Sequence, residues 1–153
     1  MKWQLRLGKG KLVLSAMLIC CLWVCAVPAA ARAQAKFSSA TCSVQVVKGK
    51  MVTYQIKGTA QVTGLVPQNA SATVNFKFQT STMAGVWSDM SQGASVTTTG
   101  VDGTANFDTS WLMMGAPANG QQYRVVCSGG YIDGSGKLVA IPGTTSDPIT
   151  PSP

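Results

Sequence analysis

The sequence predicts an all-β protein: a single antiparallel β-sandwich of about seven strands that follows a cleaved export signal. Three observations support this. The first 33 residues have the composition of a signal peptide. From residue 34 onward, apolar and polar residues alternate with the period of a β-strand. Ser, Thr, Gly and Asn fill the intervals between the alternating segments, as is typical of all-β domains.

The N-terminal segment has the three parts of a signal peptide. Residues 1–11 carry four positive charges, residues 12–27 are apolar and uncharged, and the small residues at 29–33 provide a cleavage site. A transmembrane anchor is the alternative, but it needs about 20 apolar residues, and this run has 16. Cleavage after Ala33 leaves a domain at 34–150, a Pro-rich tail at 151–153 and no membrane span; cleavage after Ala35 is the alternative. We therefore expect a secreted or periplasmic protein.

The positive charge of the chain lies mainly in this N-terminal segment. The whole sequence has a net charge of +7, whereas residues 34–153 contain seven basic and five acidic side chains and carry only +2. Nucleic-acid binding requires clustered cations on the folded surface. The composition therefore argues against a nucleic-acid partner.

The alternation of apolar and polar residues predicts where the strands lie. It predicts strands at residues 41–47, 51–62, 72–79, 94–99, 104–111, 121–128 and 137–141, with a short additional strand through Val86 and Trp87. Val74, Phe76 and Phe78 give the clearest half-buried pattern. Residues 64–69 are predicted to form a loop because they contain Gly64 and Pro67.

Two of the five cysteines, Cys42 and Cys127, remain after signal removal. Both fall on the apolar faces of their strands, and an exported protein meets an oxidising compartment, so we predict a structural disulfide. The chain-entropy model gives such a bridge, with 84 residues between its ends, about 4–5 kcal/mol of stabilisation. A free reactive thiol and a metal-binding pair are the alternatives, although two cysteines without histidine make a poor metal site.

The strand pattern resembles a known group of folds. Tyr123, Val125 and Cys127 match the Tyr-x-Val-x-Cys pattern of the penultimate strand in immunoglobulin-like and fibronectin type III-like β-sandwiches, and Cys42 lies in the first strand. The resemblance covers residues 37–150 and implies two packed antiparallel sheets. The sequence departs from the pattern in having no core Trp at 51–62 or 72–79. Such folds support many functions, so the resemblance implies none of them.

Most catalytic chemistries are excluded by composition. The sequence contains no His and no Glu, which excludes His-based triads, His-ligated zinc and a Glu general acid. The segment 108–110 is similar to the Asp-Thr-Gly of aspartic proteases, but its Gly is missing and it occurs once. A Ser/Lys dyad remains open. We predict that the protein is not an enzyme and uses no cofactor.

Metal binding is the next alternative. Asp102, Asn106 and Asp108 place three oxygen ligands within seven residues, and secreted modules often bind calcium weakly. Turn chemistry between Gly100 and Gly103 accounts for Asp102 without a metal. We predict no metal site.

A few apolar residues break the alternation and are candidates for ligand binding. Residues 111–114 are four apolar residues in succession, and Trp87 lies near a Gly-containing loop. Exposed aromatic and Met side chains are frequent at binding surfaces. The predicted ligand-binding residues are Trp87, Trp111, Met113 and Met114. The alternative is that these residues are covered within the fold.

Together these observations predict a non-enzymatic binding module whose partner is a protein or a cell-surface glycan. The alternative is a structural subunit that polymerises by strand exchange or edge pairing, so the protein is predicted to be a monomer or a self-assembling subunit. In the alternative, residues 35–40 or the Pro-rich tail become ordered only in the assembly. Glycosylation of Asn69, in the sequon Asn69-Ala70-Ser71, and a docking role for the tail remain open.

Overall fold

A computed structural model describes residues 34–83 and 85–151, except for the side chains of residues 66–70. The predicted signal peptide at 1–33 and the last two residues of the predicted tail lie outside this range. Every regular element in the described range is a β-strand, and no helix there is long and apolar enough to cross a membrane. The strands are β1 (Lys36–Lys48), β2 (Val52–Met83), β3 (Val86–Asp108), β4 (Leu112–Met114), β5 (Gln122–Ile132) and β6 (Leu138–Thr145).

All six strands belong to one hydrogen-bonded antiparallel sheet organised around β2. The first part of β2 (residues 52–65) pairs with β1 along one edge, and with β4 and the end of β3 along the other. The second part of β2 (residues 70–83) pairs with β5 along one edge and with the beginning of β3 along the other. β6 extends the sheet beyond β5.

The partners of β2 change where two glycines have positive φ. Gly64 has φ 78° and Gly103 has φ 76°, a backbone conformation that residues with a Cβ rarely adopt. Leu65 pairs with Gly103, and the register of β2 against β3 shifts on both sides of this pair. These glycines allow both long strands to change direction together without ending.

The loop predicted at residues 64–69 was therefore wrong, because its backbone belongs to β2. Gly64 and Pro67 favour a turn locally. Long-range pairing with β3, through Leu65–Gly103 and Ala70–Val101, keeps this segment extended.

The all-β antiparallel class is confirmed, but strand boundaries differ from the prediction. Residues 51–62 and 72–79 lie almost entirely within one strand, β2. The strand predicted at 94–99, the extra strand at Val86 and Trp87, and most of the strand predicted at 104–111 all belong to β3. The short strand β4 was not predicted separately.

Side chains from both parts of β2 meet in the core. Phe76 and Phe78 of the second part are buried together with Val125 of β5. A Cβ built on Gly58, in the first part, would lie 2.8 Å from Cδ1 of Phe76 and 3.2 Å from Cζ of Phe78. The two parts therefore pack against each other, and Gly58 provides the space for the rings. The largest fully buried side chains are Phe78, Phe107, Ile56, Leu65, Val62, Val74, Val125 and Cys127.

We predict that Gly58→Ala lowers the free energy of unfolding by about 1–3 kcal/mol, because the added methyl overpacks the core against Phe76. Gly115→Ala is the matched control: its Cβ would meet nothing within 4 Å, and we expect a change within about 0.5 kcal/mol. Urea denaturation followed by circular dichroism measures both. Equal stability of the two variants would contradict this account of the core.

Candidate functional site

The segment that joins β3 to β4 contains an irregularity that decides which side chains reach the surface. Asp108 pairs with Thr59, and the N–H of Thr109 donates to the carbonyl of Gly58 at 3.0 Å. Leu112 then pairs with Ile56. Two residues, Ser110 and Trp111, therefore lie opposite the single residue Lys57, which is the arrangement of a β-bulge.

This bulge reverses the inward and outward order of the side chains. Before it, the odd-numbered residues Phe107 and Thr109 are buried, and the hydroxyl of Thr109 accepts a hydrogen bond from the N–H of Gly58 at 3.0 Å. After it, the even-numbered Met114 is buried, with 8% of its surface exposed. The extra residue thus turns Trp111 and Met113 outward, where 38% and 56% of their surfaces are exposed. Without the bulge, both side chains would point into the core.

The side chains of Gln55 and Gln92 both contact Met113. Gln45 Nε2 donates to Gln55 Oε1 at 2.8 Å, and Gln55 Nε2 lies 3.6 Å from the sulfur of Met113. Gln92 of β3 donates to the backbone carbonyl of Met113 at 3.2 Å. We call this set the Trp–Met surface: Gln45, Gln55, Gln92, Trp111 and Met113. Its polar groups are neutral amides held on strands.

The structure places the four predicted ligand-binding residues in three different environments. Trp111 and Met113 lie together on the Trp–Met surface. Met114 lies in the core and offers little area to a ligand. Trp87 lies beside the second part of β2 and is half-buried, with the guanidinium carbon of Arg124 4.0 Å from its ring centroid.

A charged network adjoins Trp87. Arg124 Nε donates to Gln79 Oε1 at 2.9 Å, and Gln79 Nε2 donates to Asp89 Oδ1 at 2.9 Å. Lys77 forms an ion pair with Asp89 at 2.7 Å. The hydrogen bonds from Lys77 and Gln79 lower the pKa of Asp89. These side chains bind each other, and Arg124 stacks on Trp87, so a cation–π contact accounts for the position of Trp87 without a ligand.

A shallow groove of about 530 Å³ crosses β2, β5 and β6 on the outer face of the sheet. It is lined by Thr73, Asn75, Ser128, Gly129, Gly130, Leu138 and Ala140. Sequence reasoning did not find it, although the pair Gly129–Gly130 in β5 is a signal for a low point in a sheet surface. A Cβ on Gly129 would lie 2.5 Å from the carbonyl oxygen of Thr73, so close strand contact accounts for this glycine.

The two cysteines are buried free thiols in the structure, and the predicted disulfide is not formed. Cys42 pairs with Gly58, and Cys127 pairs with Phe76, whose ring contacts the Gly58 position. Burial raises the pKa of Cys42 to about 12, with a further contribution from the charge of Cys127. Burial also raises the pKa of Cys127 to about 11. The raised pKa values disfavour the reactive-thiol alternative.

Of the residues considered for metal binding, Asn106 makes a structural contact, whereas Asp102 and Asp108 are exposed. Asn106 accepts a hydrogen bond from Gln61 at 3.0 Å on the outer face of the sheet, where Asp108 is also exposed. Within residues 34–83 and 85–151, no cluster of three or more His, Cys, Asp or Glu side chains forms a metal site. Asp133 caps its own turn by accepting hydrogen bonds from the hydroxyl of Ser135 and from the N–H groups of Lys137 and Ser135, and these contacts lower its pKa.

Comparison with known proteins gives no family for this chain. No protein-family model matches it, and no curated protein matches it. A solved structure, the X-ray structure of Northeast Structural Genomics Consortium target SoR45, is 12% identical over 72% of this chain and 82% of its own, with a TM-score of 0.37. A likeness at that level carries no argument about fold or function.

We predict that Met114→Ser lowers the free energy of unfolding by about 2–4 kcal/mol, because it removes a buried side chain and leaves a cavity. Met113→Ser is the matched control on the neighbouring residue and is expected to change stability by less than about 0.5 kcal/mol. Thermal and urea unfolding of both variants test the bulge. The reverse order of stabilities would show that Met113, rather than Met114, points inward.

We also predict that the reduced protein loses stability in alkaline solution. The folded pKa values of about 12 and about 11 exceed the ordinary value of 9.0, so folding favours the protonated thiols. This contribution is fully present below pH 9 and is lost as the pH rises from 9 towards 12. Urea denaturation with reductant at pH 7.5, 9 and 10 should show a steeper decline for wild type than for the control Cys42→Ala/Cys127→Ala. Parallel declines would contradict the buried-thiol environment.

Proposed function

We propose that the chain is a non-enzymatic binding module that acts outside the cytoplasm and holds its ligand on the Trp–Met surface. The observation that carries the proposal is the bulge at Ser110–Trp111, which turns Trp111 and Met113 out of the core. Bulges are frequent beside functional sites because they re-aim side chains. Exposing a Trp and a Met costs stability that a buried position would have provided, so their outward position is consistent with a binding role.

The chemistry of the Trp–Met surface favours a neutral polyhydroxylated ligand, and we propose a glycan. An indole ring and a thioether provide apolar area for the C–H face of a sugar ring. Each Gln amide has two N–H donors and a carbonyl acceptor, so Gln45 and Gln55 retain capacity for hydroxyl groups after binding each other. Because the amides are neutral and fixed on strands, recognition by them does not require a charged partner.

Several features support a binding rather than a catalytic role. The two carboxylates with shifted pKa values, Asp89 and Asp133, are both shifted downward, which is opposite to the shift that a general acid requires. The thiols are buried, with raised pKa values. We therefore propose no enzymatic activity and no cofactor.

We further propose that the sheet closes as a two-layer β-sandwich, with the parts of β2 in opposite layers. Contact of the Gly58 position with the rings of Phe76 and Phe78 supports this arrangement. After export, oxidation of Cys42 and Cys127 would join the layers by a disulfide. The immunoglobulin-like resemblance stays a prediction, as do the signal peptide and an extracytoplasmic location.

We predict that the exported protein is retained on one or more of insoluble chitin, cellulose and peptidoglycan, and that Trp111→Ser/Met113→Ser reduces this retention at least about tenfold. Loss of a stacking aromatic and its apolar neighbour typically costs binding on this scale. Leu138→Ser is the matched control, because Leu138 is 68% exposed and lies in a different hairpin. Pull-down isotherms, with circular dichroism to verify folding, measure the effect.

Two results would overturn the glycan proposal. The first is no retention of the wild type on any of the three polymers. The second is equal loss of retention in Leu138→Ser and in the Trp111→Ser/Met113→Ser variant. Saturable binding to a protein partner that depends on Trp111 would support a protein ligand on the same surface instead.

A second candidate function, the polymerising subunit, is favoured by one observation. β1 is 13 residues long and lies at the end of the strand order β1-β2-β5-β6, so one of its edges is open among the described residues. Residues 36–40 pair with β2 within the same chain, which favours edge pairing over strand exchange. Light scattering after size-exclusion chromatography separates the candidates, since a binding module elutes as one species and a subunit as a concentration-dependent series.

A further inference from the structure

The turn that joins β1 to β2 presents apolar and basic side chains together. We call these residues the β1–β2 tip: Val47, Lys48, Lys50, Met51 and Val52. Met51 is 79% exposed, Val52 is 56% exposed and Val47 is 42% exposed, and both lysines are exposed as well. Single exposed apolar residues are ordinary on protein surfaces. Three of them within six residues, interleaved with two lysines, form a local amphipathic surface.

The charge around the tip has one sign. Four of the seven basic residues that follow position 33 lie between residues 36 and 57, and the first acidic residue in the whole sequence is Asp89. No acidic side chain therefore lies on β1 or on the first part of β2. The tip is complementary to an anionic surface.

Two other hairpin ends expose apolar residues but lack this combination. At the β5–β6 end, Leu138 is 68% exposed beside Lys137, but Asp133 neutralises the charge and binds the backbone of the turn. At the β2–β3 end, Met83 and Val86 are 71% and 60% exposed, and no lysine adjoins them in sequence. The β5–β6 end therefore serves as an internal control for the β1–β2 tip.

We propose that the β1–β2 tip docks onto an anionic phospholipid membrane. Met51 and Val52 enter the boundary between headgroups and acyl chains, where apolar side chains gain by leaving water. Lys48 and Lys50 lay their methylene chains along this boundary and place their ammonium groups among the lipid phosphates. Each lysine near an anionic leaflet strengthens binding about fivefold. The β1–β2 tip shares no residue with the Trp–Met surface, although Val47 lies two residues beyond Gln45 on β1, and this proposal does not depend on the ligand-binding proposal.

The test is sedimentation of the exported, processed protein with large vesicles of phosphatidylcholine, with or without about 30% phosphatidylglycerol, at low ionic strength. Mass spectrometry establishes the N-terminus first, because a retained apolar segment at 12–27 would bind lipid by itself. We expect binding to the anionic vesicles that weakens with added salt. We expect much weaker binding to phosphatidylcholine alone.

Three variants locate the effect. Lys48→Gln/Lys50→Gln should weaken binding to anionic vesicles about 25-fold, which is two losses of about fivefold. Met51→Ser/Val52→Ser should weaken it at least about tenfold, because it removes the inserted apolar area. The matched control Lys137→Gln/Leu138→Ser should bind within about twofold of wild type, because the β5–β6 end is not cationic overall. Thermal unfolding establishes that each variant is folded.

Several outcomes would overturn the proposal. One is equal binding of the wild type to both kinds of vesicle. Another is an equal loss of affinity in the control variant. Unchanged binding of Met51→Ser/Val52→Ser, together with equal affinity of the wild type for polyglutamate, would indicate an acidic protein partner rather than a membrane.

Discussion

The structure depends on the ability of two long strands to change direction together. β2 and β3 pair along most of their lengths, and both pass from one part of the sheet to the other without ending. Gly64 and Gly103 have positive φ at this point. Glycine tolerates this backbone conformation because it has no Cβ, whereas any residue with a Cβ would be strained there. If β2 and β3 bent at positions that do not face each other, the hydrogen bonds between the two strands would be lost at each bend. The paired bend brings Gly58 against Phe76 and Phe78 and so builds the core.

The alternation of inward and outward side chains along each strand decides which residues reach the surface. The bulge at Ser110–Trp111 interrupts this alternation. In a strand, a single extra residue exchanges the buried and exposed faces for every residue that follows. The residue inserted opposite Lys57 has this effect on β4. It buries Met114, exposes Met113 and gives the neighbouring glutamines an apolar companion. A local backbone feature thus determines the composition of an entire surface.

Much of the fold could be predicted from alternation, and particular residues show why the rest could not. Alternation places Val74, Phe76, Phe78 and Cys127 on the apolar faces of their strands, and all four are buried, because burial on one face imposes a period of two. The continuity of β2 through Pro67 was missed because local turn preference and long-range pairing oppose each other there. The sequence shows the local turn preference of this segment, but it does not show that the segment pairs with β3.

The candidate site, like the fold, is predictable from the sequence only in part. Trp111 and Met113 were identified because four apolar residues in a row cannot all be buried in an alternating strand. Which two of the four reach the surface depends on the bulge, and Met114 was included although it is buried. The Gly129–Gly130 pair is a local signal for the groove, but the other strands that line it, and the amides that contact Met113, come from elsewhere in the sequence, so a local pattern does not indicate them.

The position of β5 has a consequence for how the chain folds. β5 pairs with the second part of β2 through contacts such as Phe76–Cys127, and no hairpin turn joins these two strands, whereas the β1–β2 and β2–β3 pairings can each grow from a hairpin turn. Closing long loops is slow because entropy is lost before contacts form. We therefore expect the hairpins to form first, which leaves the edge of β2 that β5 covers open until β5 pairs with it. During that interval the open edge can pair with another chain, so dilute conditions favour correct folding.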